Sequence, residues 1–261
     1  MPRTRSKPVQ PITPTQIQYT RKFYEKPMEM ALLVLILTFF ALSPVLKNGF
    51  INTWDDEKYV TSDPIIQAPG LSGVGAMFTH QVNGSYVPLP LLTFAIEYHL
   101  FGMNPVPFHV TNLLLHLLCT FLVFRLLLMF RLDLRMAAFG ALLFGIHPMH
   151  VESVAWITER KDVLYGAFYL TSLLMYLKHL QTPRGNRYLL LCFLFFFLSL
   201  LSKIEAVTLP LVMLLFDYFE NRKLQWRRVT EKWPFFHFSL LIGLIGIFII
   251  YRVGIREAHF L

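Results

Sequence analysis

Seven apolar runs divide this 261-residue chain, at about 28–46, 107–130, 135–150, 163–179, 187–202, 206–221 and 234–252. Each approaches the roughly 20 residues an α-helix needs to cross a bilayer. Only 15% of the residues are charged, against about 25% in soluble domains. The pattern predicts an all-α, polytopic membrane protein with about seven transmembrane helices. Several runs are short for a span, so some helices are expected to be tilted or broken. An eighth stretch, 88–101, is apolar but interrupted by Pro88, Pro90, Glu97 and His99. It reads as a helix at the membrane interface or re-entering from it.

Charge orients these helices. Placing the N-terminus inside puts 17 of the 24 Lys and Arg residues on the inner side, as the positive-inside rule requires. Residues 1–27 then form a disordered, basic cytoplasmic tail, and 28–261 the membrane domain. The net charge of +8 is explained by orientation, and no nucleic-acid partner is needed. Cys119 and Cys192 both lie inside apolar runs and suggest neither a disulfide framework nor a metal site. Ten of the 16 acidic residues fall on the outer side. Acids orient topology only weakly, so chemistry is a candidate reason for that excess.

Segment 147–162 is the densest outer cluster. It holds Glu152, Glu159, Arg160, Lys161 and Asp162 between two apolar runs. Five charges at a bilayer centre would cost roughly 12–17 kcal/mol, so the segment is a surface loop or part of a polar cavity. His147 before Pro148 looks like a helix start. A helix over 149–162 would align Glu152, Trp156 and Glu159 on one face. Arg160 and Lys161 suit a phosphate; an ordinary ion pair with Glu159 or Asp162 is the simpler alternative. His147 and His150 could share a metal with Glu152, but that spacing is weak evidence, because histidines are common at interfaces.

Two further outer segments matter. The first, 47–105, contains Asp55-Asp56-Glu57. Adjacent carboxylates repel one another and favour holding a proton or a cation, which suits a general base; a solvated acidic turn is the alternative. The third outer segment is short and contains Lys203 and Glu205, which can pair with each other or face an anionic head group. Asn83-Gly84-Ser85 matches a glycosylation acceptor pattern, a motif too frequent to carry weight.

The run His147-Pro148-Met149-His150-Val151-Glu152-Ser153-Val154-Ala155-Trp156, followed by Glu159-Arg160-Lys161-Asp162, resembles the outer loop of the transmembrane and tetratricopeptide-repeat proteins. Those are protein O-mannosyltransferases of the GT-C type. Asp55-Asp56 is similar to the family's acidic pair after the first helix, and His109-Val110-Thr111-Asn112 and 207–218 are also similar. The resemblance covers about residues 30–252. It implies a GT-C-like fold and inverting transfer of a sugar, mannose by this likeness, from a polyprenyl-phosphate donor to a protein hydroxyl on the non-cytoplasmic side. Asp55, with Asp56 second, would be the base. Arg160 and Lys203 would contact phosphate, with Lys161, Asp162, Glu205, His150 and Glu152 as further substrate contacts. No cofactor is required, though a divalent cation has room; the partners implied are the lipid-linked sugar, an acceptor protein and membrane lipids.

Three departures from the family pattern stand out. Tyr86-Val87-Pro88 occupies the place where members often carry Trp-His-Pro. Ile204 separates Lys203 from Glu205, where the family usually has Lys-Glu or Lys-Pro. No 34-residue helical repeat occurs in these 261 residues, so the expectation is a truncated relative lacking the repeat domain. Glu159-Arg160-Lys161-Asp162 is closer to bacterial members, pointing to a bacterial inner membrane, with the endoplasmic reticulum as the alternative. A catalytically inactive scaffold and a transporter are the competing functions. Transport calls for ionisable groups deep in several helices, and His116 is almost alone there.

Overall fold

Local signals set where the helices begin. Pro27 opens α1 (Pro27–Leu42), Pro88 opens α4 (Pro88–Phe101) and Pro105 opens α5 (Pro105–Met129). Proline suits the first turn, where its missing N–H is no loss. Asn104 caps α5 by accepting from Val106 N–H. Asp133 caps α6 (Leu134–Gly145) by accepting from Arg135 and Met136. Gly102, at φ 64°, ends α4 in a conformation open to glycine.

The structure is a computed structural model that describes residues 26–68, 71–182, 185–220 and 226–258. The expected tail, 1–27, lies outside these apart from Lys26 and Pro27, as do Arg184, Arg222 and Lys223. The remaining helices are α2 (Pro64–Gln67), α3 (Leu71–Met77), α7 (Val151–Ala155), α8 (Arg160–Gln181), α9 (Asn186–Leu200), α10 (Leu209–Phe219), α11 (Trp226–Glu231) and α12 (Trp233–Ala258). Among the described residues the only β pairing is one isolated bridge, Val82 with Ser85. The all-α expectation holds there, and each of the seven apolar runs contains a helix.

Span length is more restrictive. Pro27–Lys47 and Pro105–Met129 are long and apolar enough to cross a membrane. Leu134–Gly145 and Pro148–Ala155 together form a third candidate, bent by 49°. Asn186–Leu200 and Trp233–Phe248 are apolar but shorter.

Helix α5 packs between α6 and α8, α9 packs on α8, and α1 lies against α6 and α5. Gly145 permits the α1–α6 approach, since a Cβ there would lie 2.4 Å from Thr38 Oγ1. The segments 43–104, 146–159 and 201–208 meet at one end of this bundle. Leu89 N–H bonds to Leu201 O, and Asp56 to Thr158. Segment 43–104 has its own core, in which Tyr59, Val60, Ile66, Met77 and Leu91 pack with Phe94, Phe108 and Ile157. Burial of these side chains stabilises by roughly 1.5–3 kcal/mol each, enough to make the segment a fixed cap on the helix ends.

One expected element differs. Residues 149–162 are not one helix: α7 ends at Ala155, and Trp156 is extended, at φ −99° and ψ 122°. Glu152, Trp156 and Glu159 therefore share no helical face. The interruption is fixed from outside, because Asp56 and Asn112 take the local polar groups of 156–158. His147 does start the preceding turn, its Nδ1 accepting Met149 N–H.

Candidate functional site

Asp55 and Asp56 are neighbours with different surroundings. Asp56 has no exposure. Its Oδ2 accepts Ile51 N–H at 2.9 Å, and its Oδ1 accepts Thr158 N–H at 3.0 Å and the Thr158 hydroxyl. A carboxylate so saturated holds two loops together and has little capacity for substrate. Asp55 is half-buried, and its Oδ1 accepts from the Asn83 amide at 3.1 Å. Of the pair, Asp55 is the one presented outward.

The structure places Arg160 away from any entering phosphate. Its side chain has no exposure. Nε donates to Asn112 Oδ1 at 2.8 Å, one terminal nitrogen to Glu97 at 2.5 Å and Thr93 at 3.2 Å, and the other to Phe108 O at 2.7 Å. The guanidinium also lies over the Phe94 ring, 4.6 Å from its centroid. Thr111 donates to the second Glu97 oxygen. Four of the five N–H groups are thereby used, so Arg160 cements α4, α5 and the start of α8. A phosphate reaching Arg160 would have to displace Glu97 from a dry site.

Two half-buried lysines line a cavity instead. A cavity of about 860 Å³ is lined by Lys161, Lys203, Glu205, Asn83 and Ser85 on its polar side. Leu200, Leu201, Ile204, Ile242 and Ile245 form an apolar side. Lys161 contacts Glu159 at 2.9 Å and lies 5.5 Å from the Tyr59 ring centroid. Lys203 pairs with Asp162 and lies 3.6 Å from Glu205. Burial works against the Lys203 charge, but Asp162, Glu205 and Glu159 together outweigh it and hold the ammonium above the ordinary lysine value. Burial pushes the Glu159 carboxyl up against the pull of Lys161. Both cations are thus fully charged at neutral pH, poised beside carboxylates that an anion can replace.

The remaining expected residues divide. Asp162 belongs to this cluster, its second oxygen accepting from Ser153 at 3.1 Å. Glu205 lines the cavity. His150 does not: it packs on Phe144, with ring centroids 4.5 Å apart, between His116 and His147. Glu152 is exposed on α7, away from the lining. Glu159, Asp162 and Glu205 each face a lysine, and among the described residues no three His, Cys, Asp or Glu side chains converge. The arrangement does not fit the divalent cation for which the sequence left room.

Reading the sequence missed Asn83, Tyr59, Asn112, Glu97 and Thr158 as parts of the site. Only Asn83 carried a usable local signal, since Asn-Gly marks a tight hairpin turn. The others are linked to the site by contacts across 44 to 102 residues.

A family model described as dolichyl-phosphate-mannose-protein mannosyltransferase matches residues 85–251. The protein O-mannosyl-transferase tmtc2 of Xenopus laevis is 33% identical over 201 residues, which is 70% of this chain and 23% of that protein. The protein O-mannosyl-transferase TMTC1 of Mus musculus is 32% identical over 199 residues, 67% of this chain and 20% of that protein. TMTC2 of Mus musculus is 34% identical over 160 residues, 59% and 19% respectively. The chain spans about a fifth of the length of these relatives. No solved structure gives a significant match.

Proposed function

The chain belongs to the dolichyl-phosphate-mannose-protein mannosyltransferase family, and on that footing we propose that it is a membrane glycosyltransferase moving mannose from a polyprenyl phosphate to a protein hydroxyl. The observation that carries this reading is the joining of Asp55 to the lysine-lined cavity through Asn83. The cavity offers cations for a phosphate and an adjoining apolar wall for a lipid chain, with the Asp55 carboxylate bonded to its lining residue Asn83.

The acceptor oxygen attacks the anomeric carbon from the side opposite the phosphate. Its bond to carbon forms as the bond from carbon to phosphate oxygen breaks. The leaving phosphate keeps the electron pair and is stabilised by Lys161 and Lys203. The acceptor proton passes to Asp55. Displacement from the opposite face inverts the anomeric centre. Asp162, Glu159 and Glu205 hold the lysines until the donor enters.

We read the seven helices α1, α5, α6, α8, α9, α10 and α12 as spans of a GT-C-like domain, with α4 at the interface. The excess of Lys and Arg on the other end supports a cytoplasmic N-terminus and an outward-facing site. The membrane is then the bacterial inner membrane, with the endoplasmic reticulum as the alternative. A direct test supplies the purified full chain with radiolabelled mannosyl-phosphoryl polyprenol and a Ser/Thr peptide. Label on the peptide supports the reading; intact donor at every peptide concentration rejects it.

A further inference from the structure

Asn83 sits at the tip of a two-residue hairpin. Val82 and Ser85 exchange backbone bonds at 3.1 and 2.8 Å, and Asn83 and Gly84 have φ of 49° and 74°. Positive φ at both central residues is what a type I′ turn demands, and Asn-Gly is a favoured pair for it. The buried Tyr59 fixes the hairpin base by donating its hydroxyl to Val82 O at 3.0 Å. The Asn83 side chain is thereby held at the cavity wall.

Its two ends meet opposite charges. Nδ2 donates to Asp55 Oδ1 at 3.1 Å, and Oδ1 accepts from Lys58 Nζ at 3.3 Å. Only this orientation of the amide satisfies both neighbours. One Asp55 oxygen is therefore occupied and the other is left for an incoming group. The same nitrogen is the atom that glycosylation of Asn83-Gly84-Ser85 would modify, and a glycan there would stand against the cavity wall.

We propose that Asn83 is the positioning residue of the Asp55 base, holding one carboxylate oxygen so that the other meets the acceptor hydroxyl, and that this triplet stays unglycosylated because its amide is engaged. The proposal rests on the reading of Asp55 as the base. Without Asn83 the carboxylate turns freely and its second oxygen is no longer aimed at the acceptor.

The test compares Asn83→Gly, Asn83→Asp and Asp55→Asn in the full chain, with mannosyl-phosphoryl polyprenol and a Ser/Thr peptide, reading kcat and donor KM separately. Glycine and aspartate both tolerate the turn's positive φ, so the hairpin is kept. Asn83→Gly is expected to lower kcat about tenfold and leave the donor KM within about twofold. Asn83→Asp, which sets a like charge where the amide had donated, should lower kcat at least as far with the donor KM again unchanged. Peptide mapping after expression in a glycosylating host should find Asn83 unmodified. Wild-type kcat in both variants, a donor KM that rises in step with the fall in kcat, or a glycan on Asn83, overturns the proposal. Normal turnover by Asp55→Asn rejects the base reading itself, whatever the Asn83 variants do, and the proposal falls with it.

Discussion

Asp56 Oδ1 accepts the backbone N–H of Thr158 at 3.0 Å, across 102 residues of sequence. With Ile51 N–H on the other oxygen, this carboxylate ties the first outer segment to the start of α8. Hydrogen bonds to a charged group contribute about 1.5–3 kcal/mol each. Asp56→Asn turns one acceptor into a donor facing an N–H. Its expected cost is about 2 kcal/mol, a fall in thermal midpoint of roughly 4–8 °C. Asp55→Asn should shift the midpoint by less than about 2 °C. Thermal unfolding of both variants in detergent checks this; equal shifts would mean the two acids are not divided between structure and chemistry.

Arg160 and Glu97 form a buried pair at 2.5 Å. Removing one partner strands the other charge, at a cost of about 3–5 kcal/mol. Arg160→Met should therefore be strongly destabilised, and Arg160→Met combined with Glu97→Gln less so. Arg160→Lys keeps the charge but not the fork that reaches Asn112, Glu97 and Phe108, and should also lose stability. A folded Arg160→Met protein with wild-type stability and a raised donor KM would return Arg160 to phosphate binding.

Lys161 and Lys203 should carry the donor instead. Lys203→Ala is expected to raise the donor KM about tenfold, as loss of one charge-assisted contact of roughly 1.5 kcal/mol implies. Lys161→Ala should act in the same direction. Initial rates against donor concentration measure both, and an unchanged KM in the two variants would remove the cavity from phosphate recognition.

Alkaline stability has a defined sign. Lys203 is held above its ordinary value of 10.5, burial being outweighed by Asp162 together with Glu205 and Glu159. Its stabilising contribution is fully present below the unfolded pKa and is lost as pH rises through the folded one. Tyr59, raised above 10.0 by burial, loses stability in the same direction. The midpoint should be level from about pH 7 to 10 and fall above that. In Lys203→Met the fall should be shallower, leaving the Tyr59 share. Midpoints recorded from pH 7 to 11.5 test it, and identical slopes for the two proteins would contradict the Lys203 assignment.

Much of the helical layout was legible because apolar runs, prolines and Asx caps are local. Asp133 before α6 and Pro105 at the head of α5 are visible in the sequence alone. The division of labour between Asp55 and Asp56 was not, since it depends on Thr158 and Asn83, 102 and 28 residues away. Arg160 looked like an anion site because its burial is created by α4 and α5, through Glu97, Asn112 and Phe108. The break at Trp156 was hidden for the same reason: distant side chains take the backbone groups a helix would have used.

Turnover by Asp55→Asn tests the central claim most directly, because the substitution keeps the side-chain shape and removes the base. The variant should fold, bind the lipid-linked mannosyl phosphate with wild-type affinity, and transfer mannose at least about 10²-fold more slowly. Transfer at the wild-type rate by folded Asp55→Asn protein would contradict it.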